Sequence, residues 1–247
     1  MISAKIYHSI LEKKKKGQKQ FVVLIDPDKL VSLKTIDIAE SSGVDYFFTG
    51  GSLLTNNNLE KCIEIIKKRS SIPVVLFPGN ALQISRKAEG ILFLSLISGR
   101  NAELLIGKHV VAAPLLKSSP LEILPTGYML IESGKQTTAS YMSNSNPIPA
   151  DKDDIALCTA MAGEMLGLKL IYMDAGSGAI NPVSESMIKK VKDHISIPLI
   201  VGGGIRTPQM ALKACRAGAD IIVVGNAIEK DNSLVKSIAS AVHSFKK

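Results

Sequence analysis

Residues that suit phosphate and metal chemistry stand directly after short apolar runs of the sequence. They are Asp26 and Asp28, Ser52, Asp174 with Gly-Ser-Gly at 176–178, Gly-Gly-Gly at 202–204, and Gly225-Asn226. Carboxylate and hydroxyl oxygens suit Mg²⁺, which proteins hold with one or two carboxylates together with substrate phosphates. Glycine lets backbone N–H groups approach an anion because no Cβ intervenes. Each segment alone also fits a plain turn, so a phosphate site is predicted only if the segments meet.

The apolar runs that precede these residues recur along the whole chain. They are FVVLID (21–26), DYFFTGG (45–51), PVVLFPG (73–79), GILFLSL (90–96), GYMLIES (127–133), LKLIYMD (168–174), PLIVGGG (198–204) and DIIVVGN (220–226). Runs of this kind are typical of parallel strands covered on both faces, and eight strands close a barrel. We therefore predict an α/β fold, a single (β/α)8 TIM-barrel domain over residues 1–247. A doubly wound open sheet is the alternative, although it does not need an eighth strand.

A barrel would gather the candidate residues at one end. Functional groups of such barrels come from the carboxyl ends of the strands, and the loops after strands seven and eight commonly bind phosphate. The glycines at 202–204 and the pair Gly225-Asn226 hold these two positions. Asp26 and Ser52 end neighbouring strands and are candidate metal ligands, with a plain turn as the alternative. Asp28 also fits the N-cap of a helix beginning near residue 30. The segments before the strands show no comparable concentration.

Helical patterns separate the predicted strands, with one exception. Thr207 followed by Pro208 is typical of a helix start, and Gly43 of a helix end. The stretch 133–154 is polar and lacks periodicity. Long irregular loops in compact domains often act as lids or binding loops, and a disordered excursion is the alternative.

Composition narrows the class of protein. The 247 residues are 46% hydrophobic with a net charge of +8, which suits acidic small molecules, nucleic acid or anionic lipid. Because there is no Trp and no basic stripe interleaved with aromatic residues, nucleic-acid binding is not expected. The longest apolar stretch is too short to span a bilayer, and the first residues lack the apolar region of a signal peptide. We expect a soluble, cytoplasmic protein without a disulfide framework, a zinc cluster or a histidine at a strand top.

Six motifs resemble geranylgeranylglyceryl phosphate synthases, which share a superfamily with heptaprenylglyceryl phosphate synthases. The motifs are LIDPDK (24–29), TGGS (49–52), FLSLISGRN (93–101), YMDAGSGA (172–179), VGGGIR (201–206) and VGNAIE (224–229). The resemblance implies ether-bond formation between the C3 hydroxyl of sn-glycerol 1-phosphate and geranylgeranyl diphosphate, with release of diphosphate, in ether-lipid synthesis. It further implies Mg²⁺, a homodimer or hexamer, and a barrel whose third helix is replaced by an extended segment. The short polar segment NALQISRKAEG (80–90) leaves room for that replacement.

The resemblance also implies roles for particular residues. Asp26 and Ser52 match the magnesium positions. The glycerol phosphate positions are matched by Tyr172, Met173, Asp174, Ala175, Gly176, Ser177, Gly178, Gly203, Gly204, Gly225 and Asn226. Asp174 is the candidate catalytic proton acceptor, and it stands where the family usually carries Glu. The shorter acid implies a compensating backbone shift or altered activity.

Two other functions remain open from the sequence. A phosphosugar-isomerase-like barrel enzyme would use the same phosphate site, with Asp26 and Asp174 as an acid/base pair. A non-catalytic phosphometabolite-binding protein, or one in transient contact with a membrane surface, would fit Asp174 and the run Lys13–Lys16. The length of the prenyl donor is not predicted.

Overall fold

The fold was obtained as a computed structural model that describes residues 5–29 and 32–245. Eight strands are present: β1 (Gln20–Ile25), β2 (Tyr46–Thr49), β3 (Val74–Leu76), β4 (Gly90–Leu96), β5 (Glu122–Leu130), β6 (Leu170–Asp174), β7 (Leu199–Gly202) and β8 (Ile221–Val224). The helices are α1 (Lys5–Lys15), α2 (Leu33–Ser41), α3 (Leu59–Arg69), α4 (Lys108–Lys117), α5 (Thr138–Ser143), α6 (Asp153–Met165), α7 (Glu185–Lys192), α8 (Pro208–Ala217), α9 (Asn226–Lys230) and α10 (Leu234–His243). A π-helical turn at Glu103–Gly107 leads into α4.

The strands form a closed parallel barrel in sequence order. Each strand pairs with the next, and β1 closes the ring on β8 through a register that sets Gln20 opposite Ile221. All eight predicted strands are confirmed, although β5 begins earlier than predicted, at Glu122. The predicted TIM-barrel fold is therefore confirmed, and the open-sheet alternative is wrong.

Alternate side chains of the strands fill two layers. Val22, Phe48 and Leu124 belong to the cluster inside the barrel, whereas Phe47 and Met129 pack in the larger cluster beneath the helices. Both faces of each strand are thus apolar, because one faces the barrel interior and the other the helix layer. This double burial explains why the strands are continuous apolar runs.

Helix starts and ends mostly follow the sequence pattern. Thr207 caps α8 through its side chain, and Gly43 after α2 has φ +69°. The predicted capping role of Asp28 is wrong, because its carboxylate accepts hydrogen bonds from the backbone and hydroxyl of Thr55. Helix α2 instead begins at Leu33 with Ser32 as its N-cap, and residues 30 and 31 lie outside the described residues.

The connection between β3 and β4 differs from the others. Residues 77–89 are all described and hold turns, bends and irregular backbone in place of a helix. Gln83 secures this segment by donating to Gly51 O and accepting from the Gly79 N–H, at 2.9 Å and 3.0 Å. The expected replacement of a barrel helix by a non-helical segment is present here, and the outward-facing Val74, Leu76 and Ile91 stay buried beside it.

The long stretch after β5 contains a helix that was not predicted. Helix α5 lies within it and begins with a capping box, in which Thr137 and Ser140 exchange side-chain and backbone hydrogen bonds. Ile131 also pairs with Ile148 as an isolated bridge. The expectation of a fully irregular loop is wrong, since local capping orders a segment that has no apolar periodicity. Among the helices of the described chain, none is both long and apolar enough to cross a lipid bilayer.

Candidate active site

A cavity of about 860 Å³ opens at the carboxyl ends of the strands. Its wall includes Asp26, Ser52 and Asp174, together with the glycine-rich ends of β7 and β8. These groups come from strands far apart in the sequence, and closure of the barrel brings them to one mouth. The predicted gathering of the candidate residues is therefore present in the structure.

The loops after β6, β7 and β8 meet at one side of this cavity. Asn226 Nδ2 donates to Ser177 Oγ at 3.1 Å, which joins the sixth and eighth loops. The seventh loop packs so closely that a Cβ on Gly203 would lie 2.5 Å from Gly176 N. Gly203 has φ +78° and Gly176 φ +88°, which are conformations that glycine adopts without strain. Together the three loops form a concave backbone surface of the kind that binds phosphate.

Asp174 lies at the base of this surface and is buried, with 7% of its area exposed. Its Oδ2 accepts a hydrogen bond of 2.6 Å from the Tyr128 hydroxyl, and its Oδ1 accepts one of 2.8 Å from the Gly176 N–H. Burial raises the pKa of Asp174, and the hydrogen bonds from Tyr128 and Gly176 lower it by less. The result is a carboxyl whose pKa is above its ordinary value, as expected of a group that accepts a proton.

Three aromatic rings pack together inside the barrel mouth, and the hydroxyl of one of them, Tyr128, reaches Asp174. Phe77 stacks on Tyr172 with centroids 5.3 Å apart, and Tyr128 meets both rings edge-on. Burial and the neighbouring Asp174 carboxylate raise the pKa values of both tyrosines. The tyrosine hydroxyls therefore stay protonated and can donate hydrogen bonds beside the acid.

The two candidate metal ligands lie at the same mouth. Gly51 directly precedes Ser52 in the chain. A Cβ placed on Gly51 would lie 3.8 Å from Asp26 Oδ1. Asp26 is only partly buried, and Lys29 Nζ lies 3.5 Å from its Oδ2 and 2.6 Å from Glu229 Oε2. Within residues 5–29 and 32–245, no three His, Cys, Asp or Glu side chains form a metal cluster. One carboxylate and one hydroxyl facing a cavity nevertheless fit Mg²⁺, which takes its remaining ligands from water and phosphate.

An apolar branch of the cavity extends from the mouth past β4. It runs between the 77–89 segment and α4, and its wall includes Ile84, Phe93, Ala112 and Leu116. His109 also lines this branch from α4, packed edge-on against Phe93 at 4.4 Å. Burial lowers the pKa of His109, so its ring is neutral at pH 7 and adds little charge to an apolar wall.

The structure separates the predicted phosphate residues into two groups. Tyr172, Asp174, Gly176, Ser177, Gly178, Gly203, Gly204, Gly225 and Asn226 all line the cavity. Met173 and Ala175 do not, because their side chains are buried in the cluster beneath the helices. Only the backbone of these two residues is available to a ligand in the cavity.

Sequence reasoning missed three residues of the site: Tyr128, Phe77 and Lys29. Tyr128 stands directly opposite Tyr172 in the register of β5 and β6. An aromatic residue in a predicted strand is usually a core residue, so only the register signals its position beside Asp174. No nearby sequence pattern indicates that Lys29 belongs to the site, because its ion-pair partner Glu229 lies near the other end of the chain.

Known proteins match the chain over nearly its full length. The model of the PcrB family matches residues 9–242. A geranylgeranylglyceryl phosphate synthase of Chitinophaga pinensis is 58% identical over 242 residues, which cover 97% of this chain and 96% of that protein. A protein of the same name from Korarchaeum cryptofilum is 38% identical over 242 residues, covering 96% and 99%.

A solved structure agrees with these matches. It is the (S)-3-O-geranylgeranylglyceryl phosphate synthase of Thermoplasma acidophilum in complex with its substrate sn-glycerol-1-phosphate. Its TM-score to this chain is 0.91 at 32% identity, and the match covers 97% of this chain and 98% of that one. Fold and sequence similarity therefore point to the same group of proteins.

Proposed function

The chain belongs to the PcrB family, and from this premise we propose that it is a prenyltransferase acting on sn-glycerol 1-phosphate. It joins the C3 hydroxyl of that substrate to C1 of geranylgeranyl diphosphate and releases diphosphate. The observation that carries this proposal is one cavity in which a glycine-lined anion site, a buried acid and an apolar branch are continuous. A phosphosugar isomerase has no use for the apolar branch, so that alternative loses support.

The glycerol phosphate is held at the loops after β6, β7 and β8. Backbone N–H groups around Gly176–Gly178, Gly203–Gly204 and Gly225-Asn226 bind its phosphate without opposing side chains. The hydrogen bond between Ser177 and Asn226 fixes two of these loops relative to each other. In this proposal, a glycerol phosphate held there has its hydroxyls beside Asp174.

Asp174 accepts the proton during ether formation. As the C3 oxygen forms its bond to C1 of the prenyl chain, the bond from C1 to the diphosphate oxygen breaks, and the leaving group keeps the electron pair. The hydroxyl proton passes to the Asp174 carboxylate, whose raised pKa suits a proton acceptor. Phe77, Tyr128 and Tyr172 exclude water from this point, which favours attack by the glycerol hydroxyl over hydrolysis.

The diphosphate lies at the other side of the mouth. We propose that the Asp26 carboxylate and the Ser52 hydroxyl hold Mg²⁺ there, and that bound Mg²⁺ neutralises charge on the leaving diphosphate. Support comes from their shared place on the cavity wall and from the partial exposure of Asp26. Lys29 lies between Asp26 and Glu229 and supplies a positive charge to the same region.

The prenyl chain occupies the apolar branch beside α4. The non-helical segment between β3 and β4 forms one wall of this branch, and Ile84, Phe93 and Leu116 line it. Assembly into a homodimer or hexamer remains a prediction that rests on the family resemblance. A cytoplasmic location remains a prediction from the sequence pattern.

Transfer assays test the proposal directly. Purified protein with Mg²⁺ is expected to convert radiolabelled glycerol 1-phosphate and geranylgeranyl diphosphate into a product extractable by organic solvent. A series of donors from C10 to C35 with both glycerol phosphate enantiomers measures chain length and stereochemistry together. No transfer with any donor, despite tight glycerol phosphate binding, would instead identify a non-catalytic binding protein.

Variants of the two acids assign their roles. Asp174→Asn is expected to lower kcat about 10²- to 10⁴-fold, the range for loss of a general base. Asp174→Glu is the matched variant that restores the usual acid of the family. Asp26→Asn is expected to lose Mg²⁺-dependent turnover while glycerol phosphate binding by calorimetry is unchanged. Wild-type turnover in EDTA, or in Asp26→Asn, would remove the metal from the proposal.

A further inference from the structure

Tyr128 makes the closest side-chain contact of the buried acid. Its hydroxyl donates to Asp174 Oδ2 at 2.6 Å, which is short for an O–H···O bond and typical of a charged acceptor. Both residues are inside the barrel mouth, and Tyr128 lines the cavity. The tyrosine comes from β5 and the acid from the end of β6, so the contact joins two neighbouring strands.

The carboxylate of Asp174 is held at both oxygens. The Gly176 N–H fixes Oδ1 from within the same loop, and Tyr128 fixes Oδ2 from the neighbouring strand. Two bonds from different directions leave the plane of a carboxylate little freedom to rotate. A misplacement of about 1 Å lowers catalysis about 10²-fold, so fixing this plane matters for a short acid.

We propose that Tyr128 is a positioning residue, whose hydroxyl holds the Asp174 carboxylate oriented and hydrogen-bonded for the glycerol hydroxyl. This inference rests on the proposed function, because it takes the proton transfer to Asp174 as given. A purely structural tyrosine, which only fills space between Phe77 and Tyr172, is the competing explanation. The two explanations differ in whether removal of the Tyr128 hydroxyl alone changes the pKa of Asp174.

The sign of that effect follows from the direction of donation. A donor to Oδ2 stabilises the ionised form of Asp174 and opposes the effect of burial on its pKa. Removing the hydroxyl therefore moves the pKa of Asp174 further up. The titratable groups packed against the carboxyl are Tyr128 on β5 and Tyr172 on β6, whereas the β7 end presents glycines.

Tyr128→Phe removes the hydroxyl and keeps the ring. The acid limb of the pH profile of kcat/KM for glycerol phosphate is expected to move up by about one to two pH units. Below that limb the ratio of wild-type to variant activity rises by about a further 10- to 100-fold, whereas at high pH the two profiles run parallel. Loss of orientation adds a decrease in kcat, with KM for glycerol phosphate nearly unchanged.

Tyr46→Phe is the matched control. Tyr46 is also a buried tyrosine inside the barrel, but it lies at the start of β2, at the opposite end from the cavity. Its variant is expected to keep the wild-type pH profile. A Tyr128→Phe profile that superimposes on the wild type, with only a lower Tm, would overturn the proposal.

A second measurement separates this proposal from the proposed function. The carboxyl carbon of ¹³C-labelled aspartate reports the titration of Asp174 by NMR without turnover, assigned by its loss in Asp174→Asn. The Asp174 pKa is expected to be higher in Tyr128→Phe than in wild type. A wild type without transfer activity would refute the prenyltransferase, whereas an unchanged Asp174 titration would refute the role of Tyr128.

Discussion

The two ends of the barrel differ in the source of the negative charge that meets their backbone N–H groups. At the amino-terminal end, three acids each stand directly before a strand. Each accepts a hydrogen bond from a backbone N–H near the start of the strand that comes before it in the chain. Asp45 accepts from Phe21, Glu89 from Val74 and Asp220 from Leu199, at 2.7 Å, 2.8 Å and 2.9 Å. Here the chain supplies its own anions, and the strand starts are satisfied within the fold.

At the carboxyl-terminal end, glycines take the place of those acids. The loops after β6, β7 and β8 expose backbone to the cavity, with Ser177 and Asn226 joining two of them. The one acid among them, Asp174, is buried at the base. Asp174 accepts from the Gly176 N–H, and a bound anion is the expected partner of the other N–H groups that face the cavity. The same chemistry gives stability at one end and binding at the other.

The largest effect is expected from an acid at the amino-terminal end. Asp220→Ala leaves the Leu199 N–H without its acceptor and removes the carboxylate beside Lys19 and Lys192. We expect the free energy of unfolding to fall by about 3–5 kcal/mol, as when a buried ion pair loses one partner. Urea unfolding measures this, and KM for glycerol phosphate is the companion measurement. A changed KM with unchanged stability would contradict the division between the ends.

Substitution of a glycine at the carboxyl-terminal end is expected to lower ligand affinity more than stability. Gly203→Ala places a Cβ 2.5 Å from Gly176 N and adds strain at φ +78°, so glycerol phosphate affinity should fall about 100-fold. Gly43→Ala is the matched control, because it has φ +69° with open space around the Cβ. It should lose about 1–2 kcal/mol of stability and no affinity. Calorimetry and thermal unfolding of both variants show whether the close approach of the loops or the strain of a positive φ determines glycerol phosphate affinity.

Acid pH should weaken the amino-terminal end first. Burial raises the pKa of Asp45, but hydrogen bonds from His243, Lys13 and the Phe21 N–H outweigh it and hold the pKa below its ordinary value. The stabilisation is thus present above pH 4 and is lost as pH falls through the lower folded-state pKa. Tm measured from pH 6 to pH 2.5 should fall less steeply for Asp45→Asn than for wild type. If the two curves of Tm against pH run parallel, Asp45 does not contribute to the loss of stability at acid pH.

The smallest effect is expected at the rim of the cavity. Lys135 Nζ lies 3.4 Å from the position of a Cβ on Gly178, and the lysine is exposed. Lys135→Ala should weaken glycerol phosphate binding about threefold at low salt, and the difference should vanish at high ionic strength because salt screens exposed charges. Lys213→Ala on α8, where Lys213 pairs with Glu185, is the control. An effect that persists in high salt would mean that Lys135 does more than add charge.

The sequence predicts the barrel because both faces of each strand are buried. An uninterrupted apolar run can then be recognised without knowledge of its neighbours, as in PLIVGGG. The glycine-rich loops of the proposed phosphate site were also predictable, because glycine adopts the positive φ values of Gly176 and Gly203 without strain. In both cases the signal lies in a few consecutive residues.

What the sequence does not predict depends on pairs that are distant along the chain. The hydrogen bond from Tyr128 to Asp174 follows from the register of β5 and β6. Helix α5 was missed for a different reason, because a capping box between Thr137 and Ser140 orders a polar segment without apolar periodicity. Its Thr137 also packs where a Cβ on Gly176 would lie, so the missed helix helps to cover the site.

Closure of the ring has a consequence for the synthesis of the chain. β1 pairs with β8, although Gln20 and Ile221 are about two hundred residues apart, which is about 10–40 s of translation at 5–20 residues per second. Until then β1 has one open edge, and the proposed phosphate site lacks its last loop. The nascent chain can therefore be neither a closed barrel nor an active enzyme before almost all of it has left the ribosome. Truncations that remove β8 should aggregate, since they leave unpaired strand edges at both sides of an apolar sheet.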